Sequence, residues 1–246
     1  MQARMSSTRL PGKVLKEVNG VSLLEYELAR LRRTKTINQI VVATSDKPED
    51  NPIEALCASV GVDCFRGSLE NVLSRFAECA KVYSEHEVVV RVTGDCPLID
   101  PVIVDQVVTF FQNGEFDYVS NVPSSEETFP DGMDIEVFSR RTLYDAARNA
   151  KLLSEHEHVT PYIRNNPNYR HGKVVADIDH SMYRLTVDNP EDFEVVKFLI
   201  ENCSPDAEYL DYVALLDDHP EVLALNTHII RNEGMLKSLK NDAEIK

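Results

Sequence analysis

Cationic side chains are scarce in this chain: 26 Lys and Arg stand against 41 Asp and Glu in 246 residues, a net charge of −15. That balance argues against general nucleic-acid binding, because most of the surface would repel a phosphate backbone. Cysteine is sparse as well. Cys57, Cys64, Cys79, Cys96 and Cys203 are odd in number, widely spaced and form no C-x-x-C pair, so neither zinc nor dithiol redox chemistry is indicated and reduced, mostly buried thiols are expected. No apolar run approaches the length of a membrane span, and the N-terminus lacks the apolar stretch of a signal peptide. A cytoplasmic protein with no membrane partner is expected. Internal repeats and low-complexity tracts are absent from the sequence.

What is present is apolar content of 43%, enough to fill a real core, in a length that suits one domain over residues 1–246. Short β-branched runs at 40–44, 63–65, 87–93 and 117–120 predict strands. Helical spacing marks the stretches between and after them, 21–33, 52–60, 71–83 and 101–113. Alternation of this kind implies a mostly parallel sheet covered by helices, an α/β fold. After Asn121 the rhythm changes: a polar loop at 123–129, a strand at 134–138, helices at 140–151 and 155–165, strands at 173–178 and 183–187, and a helix at 190–202. Residues after Gly234 are polar and read as a frayed end.

The first thirteen residues gather three cations, Arg4, Arg9 and Lys13, with three hydroxyls and a Pro-Gly turn, ahead of a predicted helix. A triphosphate needs such a set: guanidinium forks and an ammonium neutralise phosphate, while hydroxyls and loop amides satisfy the other oxygens. The alternative is a solvated basic tail. Two acids follow at strand ends. Asp95, in a Gly-Asp-x-Pro turn after 87–93, sits where open α/β sheets bind ligands and would suit Mg²⁺, although Gly-Asp is also a common turn. Asp188, before the 190–202 helix, reads as a second hard ligand or as a helix cap.

The run Q-A-R-M-S-S-T-R-L-P-G-K-V-L closely resembles the opening signature of sugar cytidylyltransferases, most of all the spore-coat polysaccharide group, relatives of the enzymes that make CMP-Kdo and CMP-sialic acid. G-D-C-P-L-I and V-D-N-P-E-D resemble the two further patterns of that family, in the same order, so the likeness spans most of the chain. The resemblance implies a Rossmann-like nucleotide-diphospho-sugar transferase fold with helices on both faces and a small acceptor and dimerisation subregion at 123–178. It implies CTP and a sugar acid as substrates, Mg²⁺ on Asp95 and Asp188, and a homodimer. Gln2, Ala3, Arg4, Ser7, Arg9 and Lys13 would wrap the nucleotide, with Arg4 and Lys13 among the catalytic residues beside Asp95 and Asp188.

Residues 65–75 also resemble a family segment, making Ser68 and Arg75 candidates for base or ribose contacts; a helix cap and a solvated cation are the alternatives. Asp134 and Glu136 alternate with Ile135 and Val137, which turns both acids to one face, for sugar hydroxyls or for solvent. His156 and His158 lie two apart and cannot share a helical face, which argues against zinc. His158 matches a family segment near the acceptor pocket, and Arg164, Arg170 and Arg184 could each supply the cation for a substrate carboxylate, with Arg184, beside V-D-N-P-E-D, the one expected. Two rival readings remain open: a nucleotidyltransferase with another NTP or acceptor, and a nucleotide-sugar-binding, glycosyltransferase-like protein. Phosphate loops of this kind follow the first, central strand, yet Met1 already stands in the loop, so a strand is expected to be missing, leaving two inner strands unpaired.

Overall fold

The computed structural model describes residues 1–122 and 127–243, so part of the polar loop expected at 123–129, and the last three residues of the C-terminal end expected to fray, lie outside the described residues. A small hairpin, β1 (Glu17–Val18) and β2 (Val21–Ser22), leads from the N-terminal loop into α1 (Leu23–Leu31), whose first turn is capped by the Ser22 hydroxyl accepting from the Glu25 amide at 3.3 Å. Then β3 (Val41–Ser45), α2 (Asn51–Val60), β4 (Asp63–Gly67), α3 (Val72–Val82), β5 (Val88–Arg91) and α4 (Pro101–Asn113) alternate as the sequence periodicity predicts. In α4 the reason is explicit. Asp100 caps the Val102 amide at 2.8 Å, Pro101 occupies the first turn where no amide hydrogen is needed, and Ile103, Val104, Val107, Val108 and Phe111 form one buried stripe.

The chain continues through β6 (Tyr118–Ser120), β7 (Glu136–Ser139), α5 (Arg140–Asn149), α6 (Leu153–His158), α7 (Pro161–Asn165) and β8 (His171–Lys173) to α8 (Pro190–Asn202), α9 (Tyr209–Asp218), α10 (Pro220–Leu223) and α11 (Glu233–Lys240). β3 and β4 pair in parallel, β6 and β8 pair in parallel, and β7 runs antiparallel between β5 and β6. Gln2 joins the two groups by parallel bridges to Ala43 and Thr93. Side chains alternate across this sheet. Val119 and Val137 enter one apolar cluster with α1, α4, α8 and α9, while Tyr118 and Phe138 enter a second with α3, α5 and α7. Helices therefore cover both faces.

Four expectations change. Of the strand expected at 173–178 only Lys173 is in a strand, as the last residue of β8. The single helix at 155–165 is two short ones, because the backbone turns at Val159 (φ 72°) and Pro161 supplies no amide hydrogen to continue the ladder. The run 183–187 forms no strand: Asp131 bridges Arg184, and the amides of Leu185 and Val187 donate to the carbonyls of Asp131 (2.7 Å) and Asp95 (2.8 Å). The end expected to fray is helical through Lys240, since α11 runs to that residue.

At the head of the sheet, the Met1 α-amino group donates to the Val41 carbonyl at 2.8 Å and the Met1 carbonyl accepts from Ala43 at 2.8 Å. Gln2 donates to Val92 at 3.1 Å. Met1–Ala3 thus lie along a strand axis between β3 and β5. Before them an apolar slot of about 430 Å³ opens, lined by Met1, Ile40, Phe76, Val88, Val90 and Val108 among others.

Candidate active site

The N-terminal loop is held over the carboxyl ends of β3 and β5. The Met5 amide donates to Asp50 at 2.7 Å, and Asp50 in turn accepts from the Ser45 amide at 3.1 Å, so one buried carboxylate ties the loop to the end of β3. Gly94 approaches from the other side: its amide donates to Gln2 at 2.7 Å, and a Cβ there would stand 2.9 Å from Ala3 Cβ and from the Gln2 carbonyl. Only glycine allows the Gly-Asp turn this close. Gly132, at φ 102°, does the same for the third segment, since a Cβ would fall 2.6 Å from the Thr186 amide nitrogen.

These approaches bring together acids that are far apart in sequence. Lys13 Nζ lies 2.8 Å from Asp95 Oδ2 and 2.8 Å from Asp188 Oδ1. Arg9 Nη2 lies 2.7 Å from Asp188 Oδ1, and Arg184 Nη2 lies 3.0 Å from Asp188 Oδ2. Burial alone would push the Asp188 carboxyl up, but Lys13, Arg9 and Arg184 outweigh it and hold the group well below the usual carboxylate range. Burial would likewise lower Lys13, and the charges of Asp95 and Asp188 reverse that, raising it. The carbonyl of Asp95 also accepts from Val187 (2.8 Å) and from Thr186 Oγ1 (3.1 Å), which pins the two acid-bearing segments to each other.

The cleft measures about 480 Å³, and Gln2, Ala3, Arg4, Ser7, Arg9, Lys13, Arg75, Asp95, Asp134, Glu136, His158 and Asp188, twelve of the residues expected from the sequence, line it. Arg4 is exposed at its mouth. Arg75 is buried, donates to the Ser68 carbonyl at 2.9 Å, has no partner for Nε, and is pushed down to about 10 by burial and then by Arg4.

Ser68 and Arg184 do not line the cleft. The Ser68 hydroxyl accepts from the Asn71 amide at 3.0 Å, while the cap that was its alternative is Asn71, which accepts from the Ser74 amide at 2.8 Å. Arg184 is 5% exposed and pairs with Asp131, with Asp192 at 2.8 Å and with Asp188, so its charge is already balanced inside the protein. Its place among the substrate ligands is corrected to that of an internal brace. The capping role weighed for Asp188 falls to its neighbours, since Asn189 is the cap of α8 and Asp192 reaches back to the Asn189 amide at 2.9 Å.

Asp134 and Glu136 do share a face, and it is not a solvent face. Asp134 accepts from Arg231 at 2.7 Å, and Glu136 pairs with Arg91 while accepting from Tyr118 and Thr160 at 2.6 Å each. His158 lies 2.9 Å from Ser238 Oγ, with burial as the main cause of its lowered pKa. Arg91, Asp131 and Thr160 also line the cleft without having been singled out in the sequence, and so does Arg164, one of the three arginines considered for the substrate carboxylate. Strand alternation placed Arg91 opposite Glu136, a cross-strand pair that becomes visible only once the register of β5 on β7 is known.

Among the described residues no group of three or more His, Cys, Asp or Glu is placed to hold a metal. Two carboxylates sharing one cation suit Mg²⁺, which usually takes one or two protein carboxylates and fills its shell with phosphate oxygens and water.

An α/β sheet bearing a cationic N-terminal loop against a pair of acids brought together from distant segments fits a nucleotidyltransferase. Residues 1–217 match the cytidylyltransferase family, and the chain belongs to it. It is 36% identical over 233 residues to the spore coat polysaccharide biosynthesis protein SpsF of Bacillus subtilis, covering 90% of this chain and 94% of that one. Its fold superposes on a cytidylyltransferase from Leptospira borgpetersenii with a TM-score of 0.85 at 34% identity, covering 90% and 94%. A CMP:2-keto-3-deoxy-manno-octonic acid synthetase complexed with CTP shares the fold at a TM-score of 0.60 and 19% identity, covering 81% and 96%.

Proposed function

We propose that this enzyme uses CTP to activate a sugar acid, giving a CMP-sugar and pyrophosphate for surface polysaccharide or glycan synthesis. A hydroxyl oxygen of the sugar forms a bond to the α-phosphorus, the bond from that phosphorus to the oxygen bridging the β-phosphate breaks, and the hydroxyl proton is lost. Such transfers depend chiefly on positioning and charge neutralisation. The observation that carries this reading is the convergence of Lys13, Asp95 and Asp188 beneath the cationic loop. Arg4, Arg9 and Lys13 bind the triphosphate, and Arg75, with a buried donor unpartnered, suits the base or ribose. Mg²⁺ held by Asp95 and Asp188 would neutralise phosphate charge and lower the pKa of the attacking hydroxyl.

On the acceptor side, Arg164 lines the cleft and makes no ion pair among the described residues, so it replaces Arg184 as the cation for the sugar carboxylate. Asp134 and His158 stand on the same wall, and Glu136 orients Arg91. Five free thiols suit a reducing compartment, the cytoplasm, and no described helix is long and apolar enough to cross a membrane. Pairing of two copies through residues 123–178 belongs to the same proposal. Pyrophosphate release measured with each of the four NTPs, followed by a screen of CTP with sugar acids read as the mass of the CMP adduct, tests the reading. Release with another NTP and none with CTP would overturn it.

A further inference from the structure

Residues 231–243 lie beyond the family match and return over the cleft as a strap. Arg231 anchors the near end, donating to Asp134 at 2.7 Å and to the Phe129 carbonyl at 3.0 Å. The backbone turns at Asn232 (φ 59°), and α11 then adds Glu233, Gly234, Met235, Lys237 and Ser238 to the cleft wall. At the far end Asp242 accepts from the Ser154 amide at 3.0 Å and from its hydroxyl at 2.6 Å, and the Leu153 amide donates to Ala243 at 3.1 Å. In between, the Ser238 hydroxyl donates to Glu157 at 2.8 Å.

No residue of α11 is buried, and Leu236 and Leu239 are 46% and 50% exposed. A short helix without buried apolar side chains gains little from hydrophobic burial and depends on its tethers. The tethers lie at its two ends and at Ser238, so the strap can lift without opening the core.

Its position bears on the chemistry through Glu233. Arg9 is forked between two carboxylates, Asp188 and Glu233, at 2.7 Å each. Asp188 belongs to the catalytic cluster; Glu233 does not, and it places a carboxylate on a guanidinium that the triphosphate requires. A second partner waits on its own helix, because Lys237 Nζ lies 2.7 Å from Glu233 Oε1.

We infer that Glu233 is an internal stand-in for the triphosphate: it occupies Arg9 in the nucleotide-free enzyme, and nucleotide binding exchanges it for phosphate oxygens and releases the strap. Glu233 then rests on Lys237 alone, and α11 leaves the wall through which the acceptor side of the cleft is reached. The inference rests on Arg9 being a triphosphate ligand.

The test uses the full chain. CTP affinity is measured by calorimetry with Mg²⁺ and without acceptor for the wild type, Arg9→Ala and Glu233→Gln, and amide exchange across residues 233–240 is followed in the wild type with and without CTP. Glu233→Gln is expected to bind CTP about three- to tenfold tighter, the range for losing a partly exposed competing ion pair together with its repulsion of phosphate. Saturation with CTP is expected to speed exchange in α11. Glu233→Asp retains the charge but draws the carboxylate back from Arg9, so it should also tighten binding; a response confined to Glu233→Gln would mark a general field effect and overturn the exchange of partners. Unchanged affinity in Glu233→Gln, or slower exchange in α11 with CTP, also overturns the inference. Undiminished CTP binding by Arg9→Ala would instead overturn the reading of Arg9.

Discussion

Asp95 and Asp188 converge on one ammonium, with Lys13 Nζ 2.8 Å from a carboxylate oxygen of each. Neither acid satisfies a helix end or a turn with the oxygen that meets Lys13, and Asp188 turns its other oxygen to Arg184 at 3.0 Å. Asp95→Asn and Asp188→Asn should each lower kcat by about 10²-fold or more, the scale for removing a group that stabilises developing charge. Pyrophosphate release measures the loss, and far-ultraviolet circular dichroism checks that the fold is retained. Full turnover in either variant would refute the assignment.

Arg184 makes the opposite prediction. With its guanidinium 5% exposed between Asp131, Asp188 and Asp192, replacing it by Met leaves the completely buried Asp192 without its counterion and takes one from Asp131 and Asp188. Breaking such a cluster costs about 3–5 kcal/mol. Urea unfolding should show that loss in Arg184→Met. In Arg164→Met, by contrast, stability should hold while the KM for the sugar acid rises; equal stability losses in the two variants would contradict the distinction.

Glu27 gives stability a pH dependence. It is completely buried on α1 with neither carboxylate oxygen hydrogen-bonded to a side chain, and burial, followed by the charge of Asp95, raises its pKa well above 4.5. The folded state therefore keeps a proton that the unfolded chain releases near 4.5. Its contribution is fully present below that value and is lost as pH rises toward the folded pKa, at up to about 1.4 kcal/mol per pH unit. Glu27→Gln should flatten the fall of Tm above pH 4.5 and be the more stable form at neutral pH. Parallel Tm profiles for the two proteins would sink this account.

The slot beside Met1 is open to engineering. Val88–Arg91 are paired on one side only among the described residues, and burial holds the Met1 α-amino group below its usual pKa while it donates to Val41 as a strand amide would. An extension of about five alternating β-branched residues before Met1 should complete the ladder between β3 and β5, bury several apolar side chains at about 1.5–3 kcal/mol each, and raise Tm by about 2–4 °C for every kcal/mol gained. An extension of equal length made of Gly and Ser should not. Equal Tm values for the two would show that the slot accepts no strand.

Much of this protein can be read along the chain. Helix α4 carries its cap, its proline and its apolar stripe within fourteen consecutive residues, and α8 likewise announces itself through Asn189, Pro190 and Asp192. The cationic N-terminal loop, Asp95 and Asp188 each stand out in a short run of sequence, and the structure brings the three runs together. What sequence order could not supply was how distant runs meet. The spacing of 183–187 predicts a strand, but its amides are taken by Asp131 and Asp95, so a ladder gives way to bridges that bind the site together. Arg184 looks like a substrate cation until three carboxylates are found around it, Asp188 and Asp192 from its own stretch of chain and Asp131 from a distant one.

The sequence by itself determined the elements, the class of fold and the loop with its two acids, because capping, periodicity and local charge act over a few neighbouring residues. Only the tertiary structure decided which cations are spent inside the protein and which face the cleft, because a charge finds its partner by distance in space. It also placed α11 over Arg9. A polar C-terminal run has no apolar pattern to reveal its destination, and its position follows from tethers to Asp134, Ser154 and Glu157, which only the assembled fold brings within reach.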